Sequence, residues 1–567
     1  MNERVQKLKQ LSLEAKPSIS TERAEMMTEF YKYTKGASSP MRRALAFKYL
    51  MESKTIFIGD QELVVGERGP TPKATPTYPE LCCHSLKDLQ ILNERKKIAF
   101  KIDEQTRRTF ETRIIPFWQG RSIRDLIFSE MTDEWEAAYE AGVYTEFMEQ
   151  RAPGHTVLDD KIYRKGFLDF KSEIQSALAT LDYYNDPDAY KKQKELEAMA
   201  TCCDAIIRFA ERHAEKALEM AKRERDPRRK LELEKIANVC SHVPAHAPRD
   251  FWEAIQAYWF VHLGVITELN TWDSFSPGHL DQHLYPFYAK GVEEGTLTRE
   301  QAKELLGCLW VKFNNQPAPP KVGVTAEESA TYTDFANINV GGLRPDGSDG
   351  SNEVSYLILE VIDEMRLVQP SSNIQLSKKT PERLLKKGCE IIRKGWGQPS
   401  IFNADLVVEE LVRQGKAVED ARGGGISGCV ETGCFGKEAY ILTGYLNLPK
   451  ILEITLNNGF DPRTRKQVGV KTGTPSDFKS FDELLKAFRI QLKRFIDIKV
   501  KGNNVIEQLF STHMPAPFLS VIIDDCVRKG RDYNDGGARY NSSYVMGVGI
   551  GTLTDSLAAI KYHVFDK

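Results

Sequence analysis

The sequence predicts an α/β protein, mainly helical up to about residue 313, with strands alternating with helices from about residue 314 to residue 567. Two observations support this prediction. Residues 204–239 place apolar side chains at three- and four-residue steps, the period of an amphipathic helix. Further along, short extended pieces at 337–342 (NINVGG), 371–376 (SSNIQL) and 398–405 (QPSIFNAD) are separated by helical stretches. Strands that alternate with helices indicate a parallel sheet or barrel.

The size of the chain allows a large core, and its charge argues against a nucleic-acid-binding protein. The chain has 567 residues, of which 41% are hydrophobic and 28% charged, so it can bury a large core. Lysine and arginine number 78 against 80 aspartates and glutamates, and the net charge of -2 creates no field that attracts polyanions. We therefore expect no nucleic-acid partner.

The sequence also indicates the compartment. It contains no run of about 18 apolar residues, the length that a membrane helix needs. Residues 1–17 (MNERVQKLKQLSLEAKP) are charged where a signal peptide requires an apolar stretch. Ten cysteines in so long a chain lack the density of a disulfide-stabilised secreted protein. We expect a cytoplasmic protein with reduced thiols and no membrane partner.

The most unusual local sequence is the glycine-rich segment 421–447, ARGGGISGCVETGCFGKEAYILTGYLN. Glycines permit tight loops and close approach of a ligand. Cys429 is followed two positions later by Glu431, and in an extended loop these two side chains point to the same side. The alternative is that Cys429 is a small buried residue. A phosphate-binding loop is excluded because Glu438 follows Gly436-Lys437 and Glu431 replaces the first glycine.

Two histidine pairs suggest a metal hydrolase as a rival interpretation. His279 and His283 are four residues apart, as are His242 and His246, and this spacing suits metal ligands on one helical turn. The first pair lacks the glutamate that should follow its first histidine, and Pro244 lies within the second pair. We expect no metal in this chain.

Residues 428–431 (Gly-Cys-Val-Glu) resemble the cysteine loop of the glycyl radical enzymes, at the branch of eliminases and dehydratases. Three more blocks of the chain agree with it: APGHT at 152–156, WDSFSPGHLDQH at 272–283 and YTDFANINVGG at 332–342. The likeness runs over essentially the whole chain. It implies one pyruvate formate-lyase-like catalytic domain over residues 1–567, a ten-stranded barrel surrounded by helices, with the Cys429 loop buried at its centre.

The resemblance assigns roles to four catalytic candidates. Cys429 would act as a thiyl radical that takes a hydrogen atom from the substrate carbon next to nitrogen. Glu431 would accept a proton or hold the substrate amine. His155 and Asp273 would lie near the substrate hydroxyl and help it leave as water, and Asp273 could also pair with the ammonium group.

Four more positions match the family's substrate pocket: Ser329, Asp334, Phe335 and Tyr445. They would supply polar contacts to the carboxylate or hydroxyl and an aromatic wall against the ring. The sequence is similar in most detail to family members that dehydrate trans-4-hydroxy-L-proline. This resemblance implies that substrate and the product 1-pyrroline-5-carboxylate. The alternatives are another radical eliminase, acting on glycerol, propanediol, choline or isethionate, and an inactive barrel that only binds a ligand.

Adjacent cysteines suggest a further, minor alternative. Cys82-Cys83 and Cys202-Cys203 are similar to the neighbouring cysteines of the acyl-transferring branch of the family. Both pairs lie in ordinary helical or loop sequence. Neither has the glycine-rich surroundings of Cys429, so an acyl-transferring role ranks below the eliminases.

The glycine that stores the family's radical has no match in this chain. Family members carry an Arg-Val-x-Gly-Tyr segment near the C-terminus, and neither the sequence around Gly444 nor residues 539–552 fits it. We expect that the chain as given cannot form its own radical, being truncated or complemented by another polypeptide. The resemblance implies a glycyl radical installed by a partner S-adenosylmethionine activating enzyme with a 4Fe-4S cluster, no cofactor bound in this chain itself, and a homodimer.

Overall fold

The computed structural model describes residues 1–145, 155–269, 275–317, 322 and 336–567. Within these residues the α-helices are α1 (Glu3–Glu14), α2 (Glu22–Tyr33), α3 (Ser39–Ser53), α4 (Leu86–Glu94), α5 (Glu104–Thr109), α6 (Ile115–Trp118), α7 (Ile123–Glu130), α8 (Asp133–Glu140), α9 (Lys161–Arg164), α10 (Phe167–Ala179), α11 (Ala189–Arg223), α12 (Pro227–His242), α13 (Phe251–Glu268), α14 (Leu280–Glu293), α15 (Arg299–Asn314), α16 (Glu353–Met365), α17 (Glu382–Ile392), α18 (Ala404–Arg413), α19 (Val418–Arg422), α20 (Leu448–Leu456), α21 (Phe481–His513), α22 (Pro517–Ile522), α23 (Cys526–Lys529) and α24 (Ile550–Ile560).

The β-strands of the same residues are short for the most part. They are β1 (Ser18–Ser20), β2 (Ala74–Pro76), β3 (Tyr144–Thr145), β4 (Thr156–Val157), β5 (Phe275–Ser276), β6 (Asn337–Gly341), β7 (Ser371–Leu376), β8 (Ser400–Asn403), β9 (Gly425–Ile426), β10 (Thr432–Gly433), β11 (Glu438–Asn447), β12 (Phe460–Asp461), β13 (Lys466–Gln467) and β14 (Tyr540–Val548).

Several helices begin where the sequence provides a capping pair. Ser85 accepts a hydrogen bond from the backbone of Asp88 at the start of α4, and the Asp88 side chain accepts one from the backbone of Ser85. Ser122 and Asp125 make the same reciprocal contacts at α7. Such pairs satisfy backbone donors that the first helical turn leaves unpaired. Local sequence therefore fixes where these helices begin.

Helix α13 lies deepest among the helices that precede the cysteine loop. Its residues are buried on almost every side. A helix that is apolar all round belongs in the core of a large protein. Around it the core is aromatic: the ring of Phe518 stacks on Phe47 at 4.9 Å and on Phe167 at 5.5 Å, measured between centroids. This core supports the strands that follow.

Two parallel arrangements position the site. Strands β6, β7 and β8 form one sheet in that order, and β11 pairs in parallel with β14. Helices α16 and α17 connect the strands of the first sheet, which confirms the α/β class. The described strands form six sheets of two or three strands, and no hydrogen-bonded ring of ten strands is traced among them. No described helix is both long and apolar enough to cross a bilayer.

Candidate active site

Cys429 lies at the tip of a small hairpin. Strands β9 and β10 pair antiparallel, with Thr432 opposite Ile426, and residues 427–431 connect them. The backbone N–H of Ser427 donates to the carbonyl of Glu431 at 2.8 Å and closes the turn. We call residues 424–438 the Cys429 loop.

The prediction that Cys429 is buried is wrong for this chain, because its side chain is exposed. The next residue, Val430, is also exposed, at 59%, whereas Glu431 is buried. The expected alternation of side chains requires an extended strand. Residues 427–430 instead reverse the chain direction, so Cys429 and Glu431 occupy different environments.

Glu431 forms a buried ion pair with His155. The imidazole Nδ1 lies 3.3 Å from Glu431 Oε2, and both side chains are almost completely buried. Burial acts to raise the pKa of Glu431, but the hydrogen bond and charge of His155, with the backbone N–H of Val430, outweigh it and lower that pKa to about 2. Glu431 is therefore an ionised carboxylate at neutral pH. The structure brings these two predicted residues together.

The backbone at two positions shapes this pair. His155 has a φ of +64°, in the left-handed region that non-glycine residues rarely adopt. A Cβ atom at Gly428 would lie 2.5 Å from both Glu431 Oε2 and His155 Cε1. Only glycine lets the chain beside Cys429 approach the ion pair this closely.

Four side chains hold backbone carbonyls on the upstream side of Cys429, and one of them, Ser276, donates its hydroxyl to the Ser427 carbonyl at 3.2 Å. His279 Nε2 donates to the Gly424 carbonyl at 3.0 Å, Asn339 Nδ2 to Ile426 at 2.8 Å and Asn337 Nδ2 to Gly428 at 2.6 Å. Burial lowers the pKa of His279 to about 4, so its imidazole is neutral at pH 7 and carries its proton on Nε2. The sequence analysis did not identify Asn337 or Asn339. The feature that could have identified them is the alternation of asparagine with Ile338 and Val340 in NINVGG.

Two further ion pairs hold the downstream side. Lys437 pairs with Asp159, and His283 Nε2 lies 3.4 Å from the same carboxylate. Burial opposes ionisation of Asp159, yet His283 and Lys437 together hold its pKa far below its usual range.

The second pair is deeper. Lys416 Nζ lies 2.6 and 2.8 Å from the two carboxylate oxygens of Glu438, which is fully buried on β11. Glu438 also accepts hydrogen bonds from the Cys434 backbone and from Ser542.

The histidines of the metal-hydrolase interpretation make protein contacts. His283 faces Asp159, and His242 Nε2 lies 3.0 Å from the carbonyl of Ala247. Among the described residues, no group of three or more histidine, cysteine or acidic side chains is placed to hold a metal ion.

The paired cysteines behave as core thiols in this structure. Cys202 and Cys203 are buried in α11, and burial raises the pKa of both. No disulfide joins any of the ten cysteines in the structure, all of which lie among the described residues.

The remaining candidates fall into two groups. Tyr445 is half-buried on β11, where it packs against Leu442, as do Tyr544 and Met546. The other candidates lie outside the described residues: Asp273, Ser329, Asp334 and Phe335.

The fold and this site agree with one family of proteins. The chain matches the pyruvate formate lyase-like family over residues 1–567, and it belongs to that family. It is 60% identical over 566 residues to the trans-4-hydroxy-L-proline dehydratase of Clostridioides difficile, a match that covers 100% of this chain and 72% of that protein. It is 33% identical to the isethionate sulfite-lyase of Oleidesulfovibrio alaskensis, over 97% of this chain and 68% of that protein.

Solved structures give the same result. The crystal structure of hydroxyproline dehydratase from Clostridioides difficile with trans-4-hydroxy-L-proline bound superposes with a TM-score of 0.97 at 59% identity, covering 100% of this chain and 72% of that one. The glycerol-bound form of the B12-independent glycerol dehydratase from Clostridium butyricum superposes with a TM-score of 0.93 at 36% identity, with the same coverage.

Proposed function

We propose that this chain is the catalytic body of a radical dehydratase that removes water from trans-4-hydroxy-L-proline to give 1-pyrroline-5-carboxylate. One observation carries the proposal: the chain is 60% identical, over its whole length, to a trans-4-hydroxy-L-proline dehydratase. The site adds chemical support. A cysteine at the tip of a glycine-rich hairpin lies two residues from a carboxylate that His155 holds in its ionised form.

In the proposed reaction, the Cys429 sulfur takes a hydrogen atom from the ring carbon next to nitrogen, so that a C–H bond breaks and an S–H bond forms. The hydroxyl group on the adjacent ring carbon then gains a proton and leaves as water. The S–H hydrogen returns to the product radical, and one water molecule is released for each substrate. A glycyl radical, generated by a partner activating enzyme, would produce the Cys429 thiyl radical by taking the hydrogen atom of its S–H group.

The two buried groups divide the proton chemistry. Glu431 is ionised at neutral pH, so it can accept a proton or bind the substrate ammonium group. His155 touches that carboxylate and can pass a proton toward the leaving oxygen. We propose that Asp273 and the pocket residues Ser329, Asp334, Phe335 and Tyr445 complete the site.

Two measurements test this function. Calorimetric titration with trans-4-hydroxy-L-proline should give a binding signal that Glu431→Gln weakens. In an activated enzyme that also contains the radical glycine, Cys429→Ala should abolish turnover and leave the glycyl radical signal in place. Cys389→Ala is the matched control, because that cysteine is also exposed and its loss should leave turnover unchanged. Turnover by the Cys429→Ala enzyme would disprove the thiyl role.

A second eliminase activity is the main competitor. It is favoured by the structural match to glycerol dehydratase at 36% identity. Binding of glycerol or 1,2-propanediol without binding of hydroxyproline would assign the chain to that activity. We also propose that the active enzyme is a cytoplasmic homodimer.

A further inference from the structure

The strand that leads to Cys429 is attached to β6 through side chains. On one edge, β6 pairs with β7 by an ordinary parallel ladder, with Asn339 opposite Asn373. Toward the Cys429 loop, the side-chain amide of Asn339 pairs with the backbone of Ile426, as the backbone of a neighbouring strand would. Its Nδ2 donates to the Ile426 carbonyl at 2.8 Å, and its Oδ1 accepts from the Ile426 N–H at 3.1 Å.

A second row of amides stands behind the first. Asn373 Nδ2 donates to Asn337 Oδ1 at 3.1 Å, and Gln375 Nε2 donates to Asn339 Oδ1 at 2.6 Å. All four side chains are buried. We call Asn337, Asn339, Asn373 and Gln375 the amide relay.

The loop carbonyls determine how every amide in the relay is turned. A carbonyl oxygen only accepts, so Asn337 must present its Nδ2 to Gly428. Its Oδ1 then faces Asn373, which in turn must present its own Nδ2. The order of donors therefore runs from β7 through β6 to the residue before Cys429.

We propose that Asn373 is a positioning residue that acts through Asn337 to fix the Gly428 carbonyl, and hence the place of the Cys429 thiol. The Asn373 Nδ2 atom contacts the Asn337 side chain directly. The catalytic consequence rests on the proposed function, whereas the effect on the loop does not. The relay is uncharged, so it orients the loop in the same way across the neutral pH range.

The substitution Asn373→Asp tests the relay because it changes one donor into an acceptor at constant size. The carboxylate would face Asn337 Oδ1, and the Asn337 amide would have to turn its own oxygen toward the Gly428 carbonyl. Hydrogen–deuterium exchange of residues 424–431 should then accelerate about five- to tenfold, as expected when one buried hydrogen bond is lost. In the activated enzyme, kcat should fall while the KM for hydroxyproline changes little.

A pH series separates this mechanism from general loosening. Burial favours the neutral form of a carboxyl group, so the new acid should have a raised pKa. Below that pKa its O–H can donate to Asn337 Oδ1, as the original amide did. Exchange of residues 424–431 should therefore slow again as the pH falls toward 5, after correction for the pH dependence of free amides. Asn373→Ala removes the donor without adding repulsion and should give a smaller, pH-independent acceleration.

Asn314→Asp is the matched control. Asn314 is also buried, and its Nδ2 donates to Ser12 Oγ, which itself donates to Asn315 Oδ1, so Asn314→Asp disturbs a buried hydrogen bond of the same kind outside the amide relay. This variant should leave exchange of residues 424–431 unchanged. The relay is refuted if Asn373→Asp leaves exchange there within twofold of wild type, or if Asn314→Asp accelerates it equally. Accelerated exchange in Asn373→Asp, together with a wild-type protein that does not bind hydroxyproline, would instead refute the proposed substrate and leave the relay standing.

Discussion

The two sides of the Cys429 loop are held by different kinds of force. Upstream, residues 424–428 are held by neutral donors that reach backbone carbonyls, such as Asn337 on Gly428. Downstream, residues 431–438 are held by charged side chains: Glu431 faces His155, and Glu438 faces Lys416. Neutral contacts fix geometry with little dependence on pH, whereas buried ion pairs become costly once one partner is lost.

This difference suggests a division of tasks. The upstream contacts set the path of the backbone that carries Cys429. The downstream contacts keep the Glu431 carboxylate ionised and connect the loop to His155 and Asp159, which flank β4. If this is correct, substitutions on the two sides should differ in their pH dependence and in their cost to stability.

The largest effect on stability should come from the deepest ion pair. Lys416→Met leaves the carboxylate of Glu438 buried without its cation. Loss of one partner of a buried pair typically costs about 3–5 kcal/mol. We expect the free energy of unfolding in urea to fall by that amount. The double variant Lys416→Met/Glu438→Gln removes both charges and should recover much of the loss; a single variant within about 1 kcal/mol of wild type would contradict this account.

The next effect depends on pH. Folding lowers the pKa of Glu431 from 4.5 to about 2, so its ionised form stabilises the protein fully above about pH 4.5, and this stabilisation is lost as the pH falls toward 2. The shift corresponds to about 3 kcal/mol at neutral pH and to roughly half of that at pH 3. The difference in unfolding free energy between wild type and Glu431→Gln should therefore narrow below pH 4.5. A difference that is constant from pH 7 to pH 3.5 would exclude the His155–Glu431 ion pair as its cause.

Sequence periodicity predicted the strands of the main sheet well. The pieces NINVGG, SSNIQL and QPSIFNAD contain β6, β7 and β8. Helix boundaries were harder to predict, because the continuous helical pattern at 204–239 spans two helices that separate between Arg223 and Pro227. Proline is tolerated in a first helical turn, so it can begin a helix without disturbing the apolar period.

The candidate site was predictable only in part. Cys429 and Glu431 stood out by composition, but their relative orientation depended on a chain reversal that an alternation argument cannot detect. Asn337 and Asn339 were missed because they bind backbone carbonyls. Every residue has a backbone carbonyl, so the amino-acid sequence does not show which carbonyl accepts a hydrogen bond from a side chain.

A third substitution tests where the two sides meet. In Gly428→Ala the new methyl group would lie 2.5 Å from Glu431 Oε2 and from His155 Cε1, so the ion pair must move. Overpacking of this kind costs about 1–3 kcal/mol. We expect a lower Tm and weaker hydroxyproline binding. Gly551→Ala in α24 is the control, since a methyl group there meets nothing within 4 Å and should leave both quantities at or above wild type. Equal behaviour of the two variants would show that Gly428 is not constrained by the pair.

The smallest effect should come from an ion pair of similar geometry at the surface. Lys466 on β13 lies 2.7 Å from Glu140 on α8, and both side chains are more than half exposed. Water screens such a pair, so Lys466→Met should leave the free energy of unfolding nearly unchanged. Added salt should reduce any remaining difference. Urea unfolding of Lys466→Met beside Lys416→Met therefore isolates burial as the variable, because both variants remove one lysine from one carboxylate. If the two variants lost similar amounts of unfolding free energy, burial would not distinguish the downstream ion pair from an ordinary surface contact.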